Sequence, residues 1–280
     1  MEIRTYEHFT LNELTVLWNR AFSGYSVNYE VDVDAFARQL ANWGLDPSRS
    51  LVALVDGKPV GFIQSGVKDI SGRRLSWNGG TAIVPEYRGQ GVGKRLMAAA
   101  MEVYQEARVD VATLEVLVEN TPALRLYESF GFRPVKRLVT LECEAVRPLS
   151  RRTPLVYQLA LPQAVSGKSY YDPDAPWLAH WCNLNQAQAF LIADGQGVDR
   201  GYALFSIKED GIVTLHQFVS NPRCAMTEAE LCDALQTIWD MGSGRAVLDD
   251  FPVHDERMLP LLQEMGFVWK RERHLMHCRL

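Results

Sequence analysis

The spacing of apolar residues changes in an order that can be read off the chain. Leu11, Leu14, Val16, Leu17 and Phe22 form an apolar stripe and predict a helix ending near Gly24. A second amphipathic run covers Val33 to Trp43 and stops at Gly44, with Pro47 beyond. The period then shortens. Ser50 to Val55 reads as a buried strand, Asp56-Gly57 as a type I′ hairpin turn, and Val60 to Ser65 as the returning strand. Ser71-Gly72-Arg73-Arg74 predicts another turn. Leu75 to Val84 predicts a third strand, ending at Pro85, which has no N–H to give a ladder. A glycine-rich loop leads into a helical pattern at Leu96, Met97, Ala100, Met101, Val103 and Tyr104. Val111 to Val118 is a strand, and Asn120-Thr121-Pro122 opens a helix that leaves through Gly131. Val135 to Leu141 is a final strand. Helices, a three-strand meander, then β-loop-α and β-α-β make a mixed α/β fold.

The pattern then repeats. Leu51-Val52-Ala53-Leu54-Val55-Asp56-Gly57 is echoed by Ala189-Phe190-Leu191-Ile192-Ala193-Asp194-Gly195, and the strand ending at Pro85 by Leu215 to Pro222. Glu230 to Trp239 replaces the helix after the glycine loop, and Leu259 to Phe267 matches Ala123 to Phe132. The offsets are nearly constant, 135 positions from Gly131 to Gly266 and 137 from Pro85 to Pro222. Matches in one order at one offset argue for a duplicated domain. Two domains also suit the length, because 280 residues exceed the roughly 100–200 of one ordinary domain. The expected division is a first domain over 1–146, an irregular, proline-broken linker over 147–176, and a second domain over 177–280.

Composition and charge remove several partners. With 47% hydrophobic and 22% charged residues the chain is an ordinary globular one. A formal net charge of −5, with no long Lys/Arg run, argues against nucleic acid. No apolar stretch is long enough to span a membrane, so no membrane partner is expected. Five scattered cysteines without a CxxC, and no secretory leader pattern, point to a cytoplasmic protein. His274 and His277 stand three apart on a terminal strand, where side chains face opposite sides, so no metal site is expected.

Candidate chemistry concentrates in Arg88-Gly89-Gln90-Gly91-Val92-Gly93-Lys94-Arg95. Glycines between a strand and a helix bare backbone N–H groups at a helix N-terminus, a seat for a phosphate. A plain connecting turn is the alternative. A P-loop would need Ser or Thr after Gly93-Lys94, where Arg95 stands, and a dinucleotide fingerprint would need GxGxxG, where the spacing is GxGxG.

The run Val84 to Leu96 resembles the acetyl-CoA-binding motif of the GNAT N-acetyltransferase family, Gln/Arg-x-x-Gly-x-Gly-Gly/Ala, with Lys94 at the last position. The second family motif, a strand, an Asn, a helix with a Tyr and then Gly-Phe, is similar to Leu114 to Phe132. The resemblance covers residues 1–145. It implies two tandem domains, each a mixed, mostly antiparallel sheet flanked by helices, with acetyl-CoA bound in the first. It places the backbone of Ile83 and Val84 on the pantetheine arm, the N–H groups of Arg88, Gly89, Gln90, Gly91, Val92, Gly93 and Lys94 on the pyrophosphate, and Asn120 on a pantetheine amide. Tyr127 becomes the proton donor to the departing thiolate, also contacting the donor molecule.

Without the motif, Tyr127 reads as a core aromatic and Asn120 as a helix N-cap. The strand before the loop carries no carboxylate, which leaves Glu115 on the neighbouring strand, or a water chain, to take the amine proton. Tyr25, Tyr29 and Trp77 are the candidate aromatic wall for the acceptor. In the second half Arg223 to Glu228 follows Pro222 without a glycine, Leu262 stands at the place of Tyr127, and Asp255 at that of Asn120. That half reads as a degenerate copy. The implied activity is acetyl transfer to an amine of a small molecule or peptide by direct attack in a ternary complex. A CoA-binding sensor without turnover is the other reading, and a homodimer is compatible with both.

Overall fold

The structure, a computed structural model, describes residues 1–24, 29–149 and 152–280. The chain divides into two compact units, one of Met1–Val135 with Met276–Leu280, the other of Lys136–Leu275.

The first unit opens with β1 (Glu2–Thr5), α1 (Leu11–Ala21) and α2 (Val33–Asn42). The meander follows as β2 (Leu51–Val55), β3 (Lys58–Ile70) and β4 (Arg73–Ile83), then α3 (Val92–Glu106), β5 (Val111–Leu117) and α4 (Thr121–Ser129). The strands lie in the order β1-β2-β3-β4-β5. All neighbours are antiparallel except β4 and β5, which run parallel. Both hairpin turns have the predicted chemistry, with positive φ at Asp56 (49°) and Gly57 (73°) and at Ser71 (51°) and Gly72 (76°). The Thr10–Glu13 capping box starts α1: the Thr10 N–H donates to Glu13 Oε2 at 2.8 Å and the Glu13 N–H to Thr10 Oγ1 at 3.3 Å.

Alternation along the strands gives the sheet two covered faces. Ile63, Ala112, Leu114 and Val116 pack with Leu96, Met97, Ala100 and Tyr104 of α3. Phe62 points the other way and stacks on Trp18 of α1, ring centroids 5.4 Å apart. Burying a side chain such as Leu96 is worth about 2 kcal/mol. Met276 and Cys278 join the α3 side of this core. The last five residues of the chain therefore belong to the first unit, which a reading of contiguous domains does not anticipate.

The second unit takes most of β6 (Arg133–Cys143), then β7 (Val156–Ala160), β8 (Ala187–Ala193), β9 (Asp199–Ile207), β10 (Val213–Ser220), α5 (Glu228–Trp239), β11 (Ala246–Pro252), α6 (Met258–Glu264) and most of β12 (Val268–Arg279). Its strands lie in the order β12-β6-β11-β10-β9-β8-β7, with β10 and β11 parallel. Within the stretch expected as linker, Val156–Ala160 is an edge strand on β8. Short 3-10 turns at Pro162–Val165, Trp177–Ala179 and Trp181–Asn183 occupy the sequence interval that α1 and α2 fill in the first unit. No helix among the described residues is long and apolar enough to cross a membrane.

Candidate functional site

The site lies where β4 and β5 part. They pair only from Leu75↔Val111 to Asn78↔Leu114, although both continue, β4 to Ile83 and β5 to Leu117. The parting coincides with a bulge. The β3 register steps from Gln64↔Gly80 to Ser65↔Asn78, so Gly79 has no partner on β3. The Val84 N–H donates to the Val60 carbonyl at 2.9 Å, across the β3 side. By antiparallel alternation the peptides of Thr81 and Ile83 then point away from β3, into the opening. Of the two residues expected on a pantetheine arm, Ile83 presents its peptide there, while the Val84 amide is engaged with β3.

Above the opening, Pro85–Tyr87 forms a 3-10 turn and Arg88 begins the glycine loop. Gly89 and Gly91 have φ of 74° and 82°, the left-handed region that glycine enters without a Cβ penalty. Gly91 is the N-cap of α3. No side chain caps it, and no acidic residue stands in the first turn. The first N–H groups of α3, and the positive end of its dipole, are thus available to an anion. The loop's own side chains brace it. Arg88 donates from Nε to the Ile83 carbonyl at 3.0 Å and from Nη2 to the Ala21 carbonyl at 2.9 Å. Gln90 Nε2 donates to the Glu86 carbonyl at 2.8 Å. Arg95 reaches the Met1 carbonyl at 3.1 Å. Lys94, the third residue of the helix, is exposed. What the loop offers an anion is therefore backbone N–H groups and the helix dipole with Lys94 beside them, and the Arg88 guanidinium holds the loop in shape.

Across the opening, Asn120 is the N-cap of α4, accepting from the Ala123 N–H at 3.3 Å. Tyr127 is buried (7% exposed), its ring 6.1 Å from that of Phe132. Burial pushes the Tyr104 phenol well above its usual pKa, with Tyr127 adding to the effect. Tyr104 also shares a 2.8 Å hydrogen bond with Ser65. Tyr104 reads from its spacing as one more core aromatic, and no sequence signal marks its hydroxyl.

Glu115 is the first residue of β5 beyond the last pair with β4. It faces the α1–α2 side, because its neighbours Leu114 and Val116 face α3. Trp77 Nε1 donates to Glu115 Oε2 at 2.6 Å. Trp77 is itself buried (4% exposed) and meets the Trp43 ring edge-on at 5.8 Å. Tyr29 packs its ring 5.0 Å from Phe22, and its carbonyl accepts from Trp18 Nε1 at 2.7 Å. Tyr25 lies outside the described residues. The expected aromatic wall thus divides: Trp77 is tied to Glu115, and Tyr29 to the α1 cluster. Gln64, which the sequence reading did not single out, is fully buried beside Gly80, and neither atom of its amide has a partner at hydrogen-bond geometry among the described residues.

The second unit repeats the frame. β10 and β11 pair only to Leu215↔Leu248, and the β9 register skips His216 as the β3 register skips Gly79. The helix start differs. Thr227 caps α5, accepting from the Glu230 N–H at 3.3 Å, while Glu230 Oε2 accepts from the Thr227 N–H at 2.7 Å. With Glu228 as well in the first turn, carboxylates occupy the place an anion would take. Leu262 is fully buried, and Asp255 pairs with Arg257 at 2.6 Å instead of capping α6. Among the described residues no group of three His, Cys, Asp or Glu side chains is placed to hold a metal.

Comparison with known proteins fits this geometry. Residues 11–132 match the family model described as the acetyltransferase (GNAT) family. An N-alpha-acetyltransferase of Sulfurisphaera tokodaii is 35% identical over 100 residues, covering 31% of this chain and 58% of that protein. N-alpha-acetyltransferase 30 of Saccharomyces cerevisiae is 39% identical over 66 residues, 24% of this chain and 38% of its own length. The chain thus spans well under two thirds of these curated relatives. The solved structure of an N-acetyltransferase from Sphaerobacter thermophilus covers 99% of this chain, with 95% of its own chain matched, at a TM-score of 0.63 and 15% identity, a likeness of fold.

Proposed function

Because the chain belongs to the GNAT acetyltransferase family through residues 11–132, we propose that it transfers the acetyl group of acetyl-CoA to a primary amine, both substrates being bound together. The observation that carries this is the uncapped, acid-free N-terminus of α3 standing over the parted edges of β4 and β5. A thioester with a pyrophosphate-bearing tail suits both parts. The residues fit it: the N–H groups from Gly89 to Lys94 face the pyrophosphate, the Thr81 peptide and the Ile83 N–H receive the extended arm as an added strand would, and Asn120 closes the far side. Acetyl-CoA supplies an activated acyl group, and the chain's work is positioning and proton transfer.

Glu115 takes the proton that the amine must lose before its nitrogen bonds to the acyl carbon, directly or through a water. The Tyr127 phenol gives a proton to the sulfur as the carbon–sulfur bond breaks, and the phenolate left behind takes the second proton that the acylated nitrogen must lose. Backbone N–H groups of the β4 edge stabilise charge gathering on the acyl oxygen. The products are the N-acetylated amine and free thiol. We read the acceptor as an α-amine of a peptide or amino acid, since two of the relatives are named for N-alpha-acetylation.

The test is thiol release from acetyl-CoA in the presence of a panel containing an alanine-initiated peptide, free amino acids and a polyamine. Amine-dependent thiol supports transfer. Tight acetyl-CoA binding by calorimetry with no thiol for any amine refutes it in favour of a sensor.

A further inference from the structure

We propose that Trp77 is a positioning residue for this reaction: its indole N–H, bonded at 2.6 Å to Glu115 Oε2, aims the carboxylate that receives the amine proton. The inference rests on the reading of Glu115 as that proton acceptor.

The pair sits at one defined point of the sheet. Trp77 is opposite Thr113, one pair before the ladder between β4 and β5 ends. Thr113 and Glu115 share a face of β5, so the indole reaches diagonally along that face to the first side chain past the parting. A carboxylate beyond the last strand pair otherwise rotates about its side-chain bonds, and a proton transfer depends on the direction from which the proton arrives. A charge-assisted hydrogen bond from a rigid donor removes that freedom.

The donor is rigid for visible reasons. Trp77 is 4% exposed and the Trp43 ring meets it edge-on. Its six-membered ring also lies across Gly79, where an added Cβ would stand 2.6 Å from Trp77 Cζ3 and 2.9 Å from Cε3 and Cη2. Gly79 is the bulged residue, so the bulge that ends the pairing of β4 with β5 also makes room for the indole that holds Glu115.

The second unit supplies a control within the same chain. At the bulge stands His216, and Asp249, the first residue past Leu248, accepts from Thr140 Oγ1 at 3.2 Å and pairs with Arg271 at 2.5 Å, with no indole bond to it among the described residues. Among the described residues the indole–carboxylate pair accompanies the uncapped helix and not the capped one.

The experiment is a double-mutant cycle in the full chain, Trp77→Phe, Glu115→Gln and both together. It is read as thiol release from acetyl-CoA with an alanine-initiated peptide, and paired with a spectrum of protein carrying nitrogen-15 tryptophan. Glu115→Gln is expected to lower kcat about 100-fold. Trp77→Phe is expected to lower it about tenfold with the KM for acetyl-CoA within twofold, and to cost nothing further in the Glu115→Gln background. Trp77→His, which keeps an N–H donor, is expected to recover part of the loss. The indole N–H resonance of Trp77, far downfield in the parent, is expected to move upfield in Glu115→Gln, a readout independent of turnover and of whether Trp77→Phe folds. Equal tenfold losses in both backgrounds, or an indole resonance indifferent to Glu115→Gln, overturn the proposal. An unchanged kcat in Glu115→Gln removes the base reading itself, and the positioning role falls with it. That outcome is told apart because the indole resonance still moves.

Discussion

Lys94→Glu separates binding from stability, because the two should move in opposite directions. Lys94 is the third residue of α3, counted from the uncapped Gly91. The equivalent place in α5 is Glu230, whose carboxylate closes the capping box with Thr227. The substitution therefore writes the α5 solution into α3. A carboxylate in a first helical turn is favourable by about 0.3–1 kcal/mol, so the melting temperature should stay level or rise. A pyrophosphate on the same N–H groups would instead face a reversal of two unit charges. Two charges 4 Å apart interact by about 1 kcal/mol even in water. The reversal then costs about 2 kcal/mol, about a 30-fold rise in Kd, and more at low salt. Calorimetric titration with acetyl-CoA beside a thermal melt reads both quantities. The matching change, Glu230→Lys, breaks the capping box and the 2.7 Å pair with Arg200. It should lower the melt by a few degrees and leave acetyl-CoA affinity alone. A Kd for Lys94→Glu within threefold of the parent, in a protein that melts normally, would refute the assignment of α3 as the phosphate seat. Equal weakening by Glu230→Lys would show that the affinity does not depend on this helix end.

Three further outcomes follow from particular contacts. Tyr127→Phe should lower kcat by one to two orders of magnitude with acetyl-CoA affinity within threefold; collapse of binding together with a lowered melt would mean the ring serves only the core. Asp233 is buried and accepts from Thr153 Oγ1 at 2.6 Å, the Thr153 N–H at 3.2 Å and Tyr157 Oη at 3.2 Å, so Asp233→Ala should destabilise the second unit by about 2–4 kcal/mol by orphaning those donors; a denaturation midpoint equal to the parent's would contradict the network. Burial pushes the His216 imidazole down to about 4, with Asp249 and Lys208 acting on it in opposite directions. The unfolded chain then binds more protons than the folded one between that value and the ordinary 6.5, and stability falls as pH drops through this window. His216→Asn should flatten that loss in urea titrations at pH 7 and pH 5, and an unaltered difference would count against a neutral, desolvated ring.

What was legible depended on how local each determinant is. Asp56-Gly57 and Ser71-Gly72 announce their hairpins because positive φ at two successive residues has few sequence solutions. The glycine loop is legible for the same reason. β1 was missed: four residues with an exposed–intermediate alternation, paired on one side only, carry little period. β7 was missed as an edge strand whose Val156 and Leu159 are exposed, so its pattern shows no buried face. Of the candidate site residues, Tyr127 and Asn120 follow from motif order and Glu115 from the lack of a carboxylate on the strand before the loop, but the groups they touch do not follow from sequence. The bond between Trp77 and Glu115 depends on a parallel register linking residues 38 apart, and the bracing of Arg88 on Ala21 links residues 67 apart. Long-range register has no local sequence signature. Charge near the loop also misleads on its own: Arg88 looks like a phosphate ligand in sequence, and its guanidinium is spent on two carbonyls that hold the loop's shape.

The two halves show which features of the fold are independent of its chemistry. The parting of the parallel strands and the bulge beside it occur in both units, at Asn78 and Gly79 and again at Leu215 and His216. They arise from backbone register and tolerate different side chains. What differs is the treatment of the helix that follows. A helix must satisfy its first N–H groups somehow. α5 does so internally with Thr227 and Glu230, which stabilises the fold and fills the anion seat with its own carboxylate. α3 starts on a left-handed glycine with no cap, which leaves those groups to solvent or a ligand and forgoes about 1 kcal/mol of capping. A selection for stability alone would cap α3 as it has α5. The missing cap stands in the unit that also carries Tyr127 and the Trp77–Glu115 pair, and it supports the proposal that this helix end serves a bound phosphate.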